Sequence, residues 1–111
     1  MKIATHEVNG VTVMDIAGRI TLGEGSVQLR EAVRNLVASG HKKIVLNLAD
    51  VSYMDSSGMG ELVTAFTTVK NQGGELKLIN LTRKIHDLMQ ITKLVTVFDI
   101  HDTEASAIAA F

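Results

Sequence analysis

Asp55-Ser56-Ser57-Gly58-Met59-Gly60 is the stretch whose residue types and spacing could do chemistry. Met59, Leu62, Val63, Phe66 and Val69 follow at helical spacing, so the stretch opens a helix. Asp, Ser and Ser are three side chains able to cap that helix where one suffices. Each of the two glycines costs a helix roughly 1 kcal/mol relative to Ala, a cost that capping does not explain. A hydroxyl at a helix start beside glycines is uncrowded. A phosphoryl group on it would face free backbone N–H groups and the positive end of the helix dipole. The chemistry that fits is phosphate acceptance by a serine with Asp55 as its neighbour. On spacing alone, a plain helix cap stands as the alternative.

Other chemistries fail on spacing. A nucleophile elbow needs Gly two residues before and after its serine, but Ser56 has Met54 and Gly58, and Ser57 has Asp55 and Met59. No Gly is followed by Lys, which excludes a P-loop, and both Gly-x-Gly pairs lack the third glycine of a dinucleotide fingerprint. His6, His41, His86 and His101 are scattered without zinc-ligand spacing and are expected as ordinary surface or strand-end residues. Asp99 and Asp102 beside His101 suit a solvated turn and a helix cap, and Asp15, flanked by Met14 and Ile16, should face solvent. No catalytic residue, metal ligand or cofactor-binding residue is assigned.

The elements that must position the Ser56 turn are legible around it. Asn9-Gly10 between residues 3–8 and 11–17 marks a tight hairpin. Leu29, Ala32, Val33 and Leu36 predict a helix over about 26–39, with Gly40 at its end. Ile44-Val45-Leu46-Asn47-Leu48, apolar on both faces, predicts a central parallel strand, joined to the Ser56 helix by a short loop. Leu76–Leu81 predicts the next buried strand, Thr82 caps a third helix, a short strand follows near 95–100, and 102–111 closes as a helix. The fold class is α/β: a small mixed sheet of about four or five strands, opening with a hairpin, with about four helices packed against it.

Composition bounds the rest. A chain of 111 residues, 46% hydrophobic and 21% charged, suits one domain over residues 1–111 and can bury roughly two thirds of its unfolded surface. A net charge of -1 gives no basic excess for nucleic acid or anionic lipid. Cysteine is absent, and no apolar run approaches the ~20 residues of a membrane-spanning helix. The N-terminus lacks a signal-peptide pattern, so a cytoplasmic location without membrane insertion is expected.

Asn47-Leu48-Ala49-Asp50-Val51-Ser52-Tyr53-Met54-Asp55-Ser56-Ser57-Gly58-Met59-Gly60 resembles the signature of the STAS domain, and within it the bacterial anti-sigma factor antagonists. Gly18, Gly73-Gly74 and the segment Leu94 to Ile100 follow in family order, so the resemblance spans the chain. It implies a STAS-type fold and a non-enzymatic switch with no cofactor of its own. By the same resemblance, the serine after the aspartate, Ser56, is expected to be phosphorylated by a partner that is both anti-sigma factor and serine kinase and that supplies the ATP. Ser57 is the alternative acceptor. As the resemblance implies, the unphosphorylated form is expected to bind the anti-sigma factor and free the sigma factor, and phosphorylation to end the binding. The free protein is expected as a monomer or weak dimer.

The chain departs from the family at Thr21, where an acidic residue is usual, and at Lys93, where Gly is expected. The Thr21 departure sustains a second reading, a constitutive STAS scaffold subunit of a larger signalling or lipid-transport assembly. A partner interface needs roughly 800 Å² per side, more than one turn offers. Thr21 and Gly23 in the 20–25 segment, and Glu61, Thr64 and Thr68 on the second helix, are expected to extend the surface formed by Asp55, Ser56, Ser57, Gly58, Met59 and Gly60. For Met59, which lies on the apolar stripe, core packing competes with partner contact.

Overall fold

The computed structural model describes residues 1–111. Strands β1 (Lys2–Val8) and β2 (Val11–Ile20) pair antiparallel about Asn9 and Gly10. Their φ of 52° and 79° are the two positive angles a two-residue hairpin turn requires. Helix α1 (Glu24–Ala38) leads to β3 (Lys43–Met54), α2 (Ser56–Asn71) to β4 (Glu75–Ile79), and α3 (Arg83–Ile91) to the short β5 (Asp99–His101), before α4 (Glu104–Ala109) closes the fold. The sheet order is β1-β2-β3-β4-β5, with β2 through β5 mutually parallel, so the mixed sheet and four helices are those the sequence implied.

The faces of the sheet are unequal because successive side chains alternate. Met14, Ile16, Ile44, Leu46 and Leu78 turn toward α1, α2 and α3 and form the main core with Leu29, Val33, Leu62, Val69, Ile85 and Met89. Val11, Val13, Val45 and Ile79 form a second, small cluster with Ala107 of α4. That thin back layer also holds Lys77, buried beneath α4, whose ammonium pairs with Asp99 and sits 4.7 Å from the Phe111 ring centroid. Burial lowers the pKa of Lys77, but Asp99 and Glu75 outweigh it and leave the group raised. Asp99 is in turn held below the ordinary carboxylate value, first by Lys77 and then by His101.

Three boundaries differ from expectation. β3 continues to Met54 rather than ending near Leu48, because β2 runs on to Ile20 and pairs with it through Arg19 with Tyr53 and Ile20 with Met54. The link to α2 is therefore Asp55 alone. β5 begins only at Asp99; the chain before it turns at Lys93 and inserts Phe98 edge-on against Phe66, 5.6 Å between centroids. The α4 cap is Thr103, whose hydroxyl accepts the Ser106 amide at 3.1 Å, and Asp102 is not the capping residue.

Candidate functional site

β2 and β3 end together, and α2 starts from that common edge. Asp55 takes the extended conformation of an N-cap, with φ -96° and ψ -177°. One carboxylate oxygen accepts the Gly58 amide at 2.8 Å, and the other accepts the Leu22 amide at 3.1 Å. The Asp55 amide donates to the Ile20 carbonyl at 3.4 Å. Hydrogen bonds from Gly58 and then Leu22 hold the Asp55 carboxyl below its ordinary pKa, since both favour the charged form. Asp55 is thus the cap, which leaves the exposed Ser56 and half-buried Ser57 free of that duty.

The two glycines differ in what surrounds them. A Cβ on Gly58 would stand 2.1 Å from the Ile20 carbonyl oxygen and 2.8 Å from Met54 Cγ, so this buried residue lets the first turn of α2 press against the end of β2. Its glycine is a packing requirement, and Gly58, one of the expected contact residues, is buried. Gly60 meets nothing within 4 Å and is exposed, an open position on the same turn. Met59 is 2% exposed within the main core, so of the two readings open for it, core packing and partner contact, the structure places it in the core.

Glu61 is also corrected. It does not lie on the outer face of α2 but is buried against α1, where Arg30 Nε donates to it at 2.6 Å and Arg30 Nη2 at 3.2 Å. Thr64 is exposed, its hydroxyl donating to the Gly60 carbonyl at 3.1 Å. Thr21 is half-buried, and its carbonyl accepts both the amide (3.1 Å) and the hydroxyl (2.8 Å) of Ser26 in the first turn of α1. Gly23 is exposed with φ 94° and precedes α1 without a side-chain cap. The bond from Leu22 to Asp55 brings the 21–23 loop and the Ser56 turn to one end of the molecule.

Two exposed apolar side chains join that end. Leu22 is 79% exposed; Tyr53 is 45% exposed, with the Arg19 guanidinium 4.8 Å from its ring centroid. Beside Tyr53, a cavity of about 310 Å³ opens between the end of β3 and Ile85, Leu88 and Ile91 of α3. Neither Leu22 nor Ile91 was a candidate from sequence. Their signal is an apolar residue isolated in a polar stretch, which does not separate exposed from buried.

A strand pair feeding an Asp-capped, glycine-bearing helix start, within a five-stranded mixed sheet, is the architecture of a STAS domain. The STAS domain model matches residues 2–107, and the chain belongs to that family, among its anti-sigma factor antagonists. The anti-sigma-B factor antagonist of Bacillus subtilis is 44% identical over 87 residues, covering 78% of each chain. The crystal structure of an anti-sigma factor antagonist from Mycobacterium paratuberculosis superimposes with a TM-score of 0.83 at 19% identity, over 98% of this chain and 92% of that one. The Bacillus cell fate determinant SpoIIAA in its phosphorylated form gives 0.73 at 22% identity, over 98% of each chain. No helix is long and apolar enough to cross a membrane.

Proposed function

We propose that this protein is a phosphorylation-controlled anti-sigma factor antagonist. Its unphosphorylated form binds an anti-sigma factor that is also a serine kinase and so releases the sigma factor. Phosphoryl transfer from ATP held by that kinase to Ser56 Oγ ends the binding. The observation that carries this reading is the division of labour at the start of α2. Asp55 supplies the cap with both carboxylate oxygens engaged, so the exposed Ser56 is not needed for local structure. Ser57, half-buried on the next position, is the poorer acceptor. The contact surface comprises Thr21, Leu22 and Gly23, Asp55, Ser56, Ser57 and Gly60, and Thr64 on the next turn.

The test is recovery of the companion protein from native cells, followed by incubation with ATP and intact-mass measurement. One phosphoryl group is expected on the wild type and none on Ser56→Ala, with Ser57→Ala still modified. Full labelling of Ser56→Ala would overturn the assignment. The second reading, a constitutive scaffold subunit, draws on Thr21, which offers no carboxylate beside the turn. A companion without a kinase-type ATP site, together with an unmodified Ser56, would favour it.

A further inference from the structure

Helix α4 is weakly anchored by apolar contact. Of its residues only Ala107 is fully buried and Ile108 partly so, with Phe111 just past its end, against Val11, Val13, Val45 and Ile79. Two side-chain ties supplement this, and both run to histidines on the two edge strands. Glu104 contacts His6 of β1 at 3.1 Å, and Ser106 contacts His101 of β5 at 3.0 Å.

The two histidines differ in what they face. His101 has the Ser106 hydroxyl at Nδ1 and an Asp99 carboxylate oxygen 3.0 Å from Nε2. A hydroxyl can donate as well as accept, so a neutral imidazole keeps the Ser106 contact that ties α4. His6 has carboxylates on both sides, Asp15 Oδ2 at 3.0 Å from Nδ1 and Glu104 Oε1 at 3.1 Å from Nε2. An ionised carboxylate only accepts, and a neutral imidazole carries one N–H, so both contacts are favourable only with the imidazolium. Asp15 is itself fixed, accepting from Asn47 Nδ2 at 2.8 Å, which leaves it little freedom to turn away.

We propose that α4 is a proton-dependent strap: protonated His6 ties it across the sheet by bridging Asp15 and Glu104, and loss of that proton loosens its hold on the back face. Histidine is the side chain whose charge ordinarily changes between pH 5 and 8. The charged groups facing the tie are Asp15 from β2, Glu104 from α4 and, lining the cavity next to Glu104, Lys43 from β3. At the other end Lys77 from β4, Asp99 from β5, Asp102, and Arg83 and His86 from α3 surround the His101 tie. Loosening α4 bares Val11, Val13, Val45 and Ile79, a second apolar surface on the side of the sheet opposite α1 and α2.

The test is residue-resolved amide hydrogen exchange of the full chain between about pH 5 and pH 8, corrected for intrinsic exchange, with the His6 ring followed by nitrogen NMR. Protection at Ala107 and Ala110 is expected to fall about two- to fivefold as pH rises, the range of an exposed ion pair, with the midpoint of the His6 ring titration. In Glu104→Gln and His6→Gln the profile is expected to be flat, while His101→Gln keeps the slope. A flat wild-type profile, an unchanged slope in Glu104→Gln, or a midpoint that follows His101 or His41 instead would each overturn the proposal.

Discussion

The Asp55 carboxylate reaches 33 positions back along the chain to accept the Leu22 amide at 3.1 Å while its other oxygen caps α2. One side chain thereby joins the loop before α1 to the turn that carries Ser56. Its low pKa follows from the same two bonds.

Because the folded-state pKa of Asp55 is depressed, its contribution to stability is fully present above the unfolded value of about 3.9 and is lost as pH falls through the folded value. Asp55→Asn should therefore lower Tm at pH 7 and show less of a further fall than the wild type below about pH 4. Asp99, also depressed, keeps some acid sensitivity in both proteins. Thermal unfolding across pH checks this; identical slopes would disprove it.

Gly58 and Gly60 look alike in sequence and should respond oppositely to alanine. The Gly58 Cβ position collides with the Ile20 carbonyl, so Gly58→Ala should cost about 1–3 kcal/mol or more in chemical denaturation. Gly60 is open and helical, and Gly60→Ala should be neutral or stabilise by up to about 1 kcal/mol.

Removing Arg30 leaves the Glu61 carboxylate buried between α1 and α2 without its partner. Arg30→Met should lower Tm, and adding Glu61→Leu to it should restore much of the loss, because two apolar groups leave no uncompensated charge. A double variant less stable than Arg30→Met would contradict this.

Lys93 holds a φ of 60° after α3 without being a glycine. Lys93→Gly should raise stability by up to about 1 kcal/mol, since the left-handed conformation carries no steric penalty for glycine. Differential scanning calorimetry reads this directly.

Phosphorylation of Ser56 should leave Tm within a few degrees of the unmodified protein while removing most affinity for the anti-sigma partner. The helix N-terminus favours the added anion by typically 0.3–1 kcal/mol, and the neighbouring Asp55 opposes it by a screened repulsion of similar size. At an interface, a group of nearly two charges buried without a partner is far more costly. A large fall in Tm would indicate deformation of the domain instead.

By itself the sequence determined the local features. Asn9-Gly10 dictates a turn, the stripe from Met59 to Val69 dictates a helix behind Asp55, and the apolar run from Ile44 to Leu48 dictates a strand covered on both faces. These signals lie within a few residues of one another, where backbone conformation and side-chain periodicity act. Only tertiary structure decided what depends on distant partners. β3 reaches Met54 because β2 runs beside it, Gly58 is needed because the Ile20 carbonyl passes through its Cβ position, and Met59 and Glu61 turn inward because the β-sheet and Arg30 await them. The clustering of Thr21, Leu22 and Ser56 at one end belongs to the same class, since hydrogen bonds between residues more than thirty apart leave no periodicity along the chain.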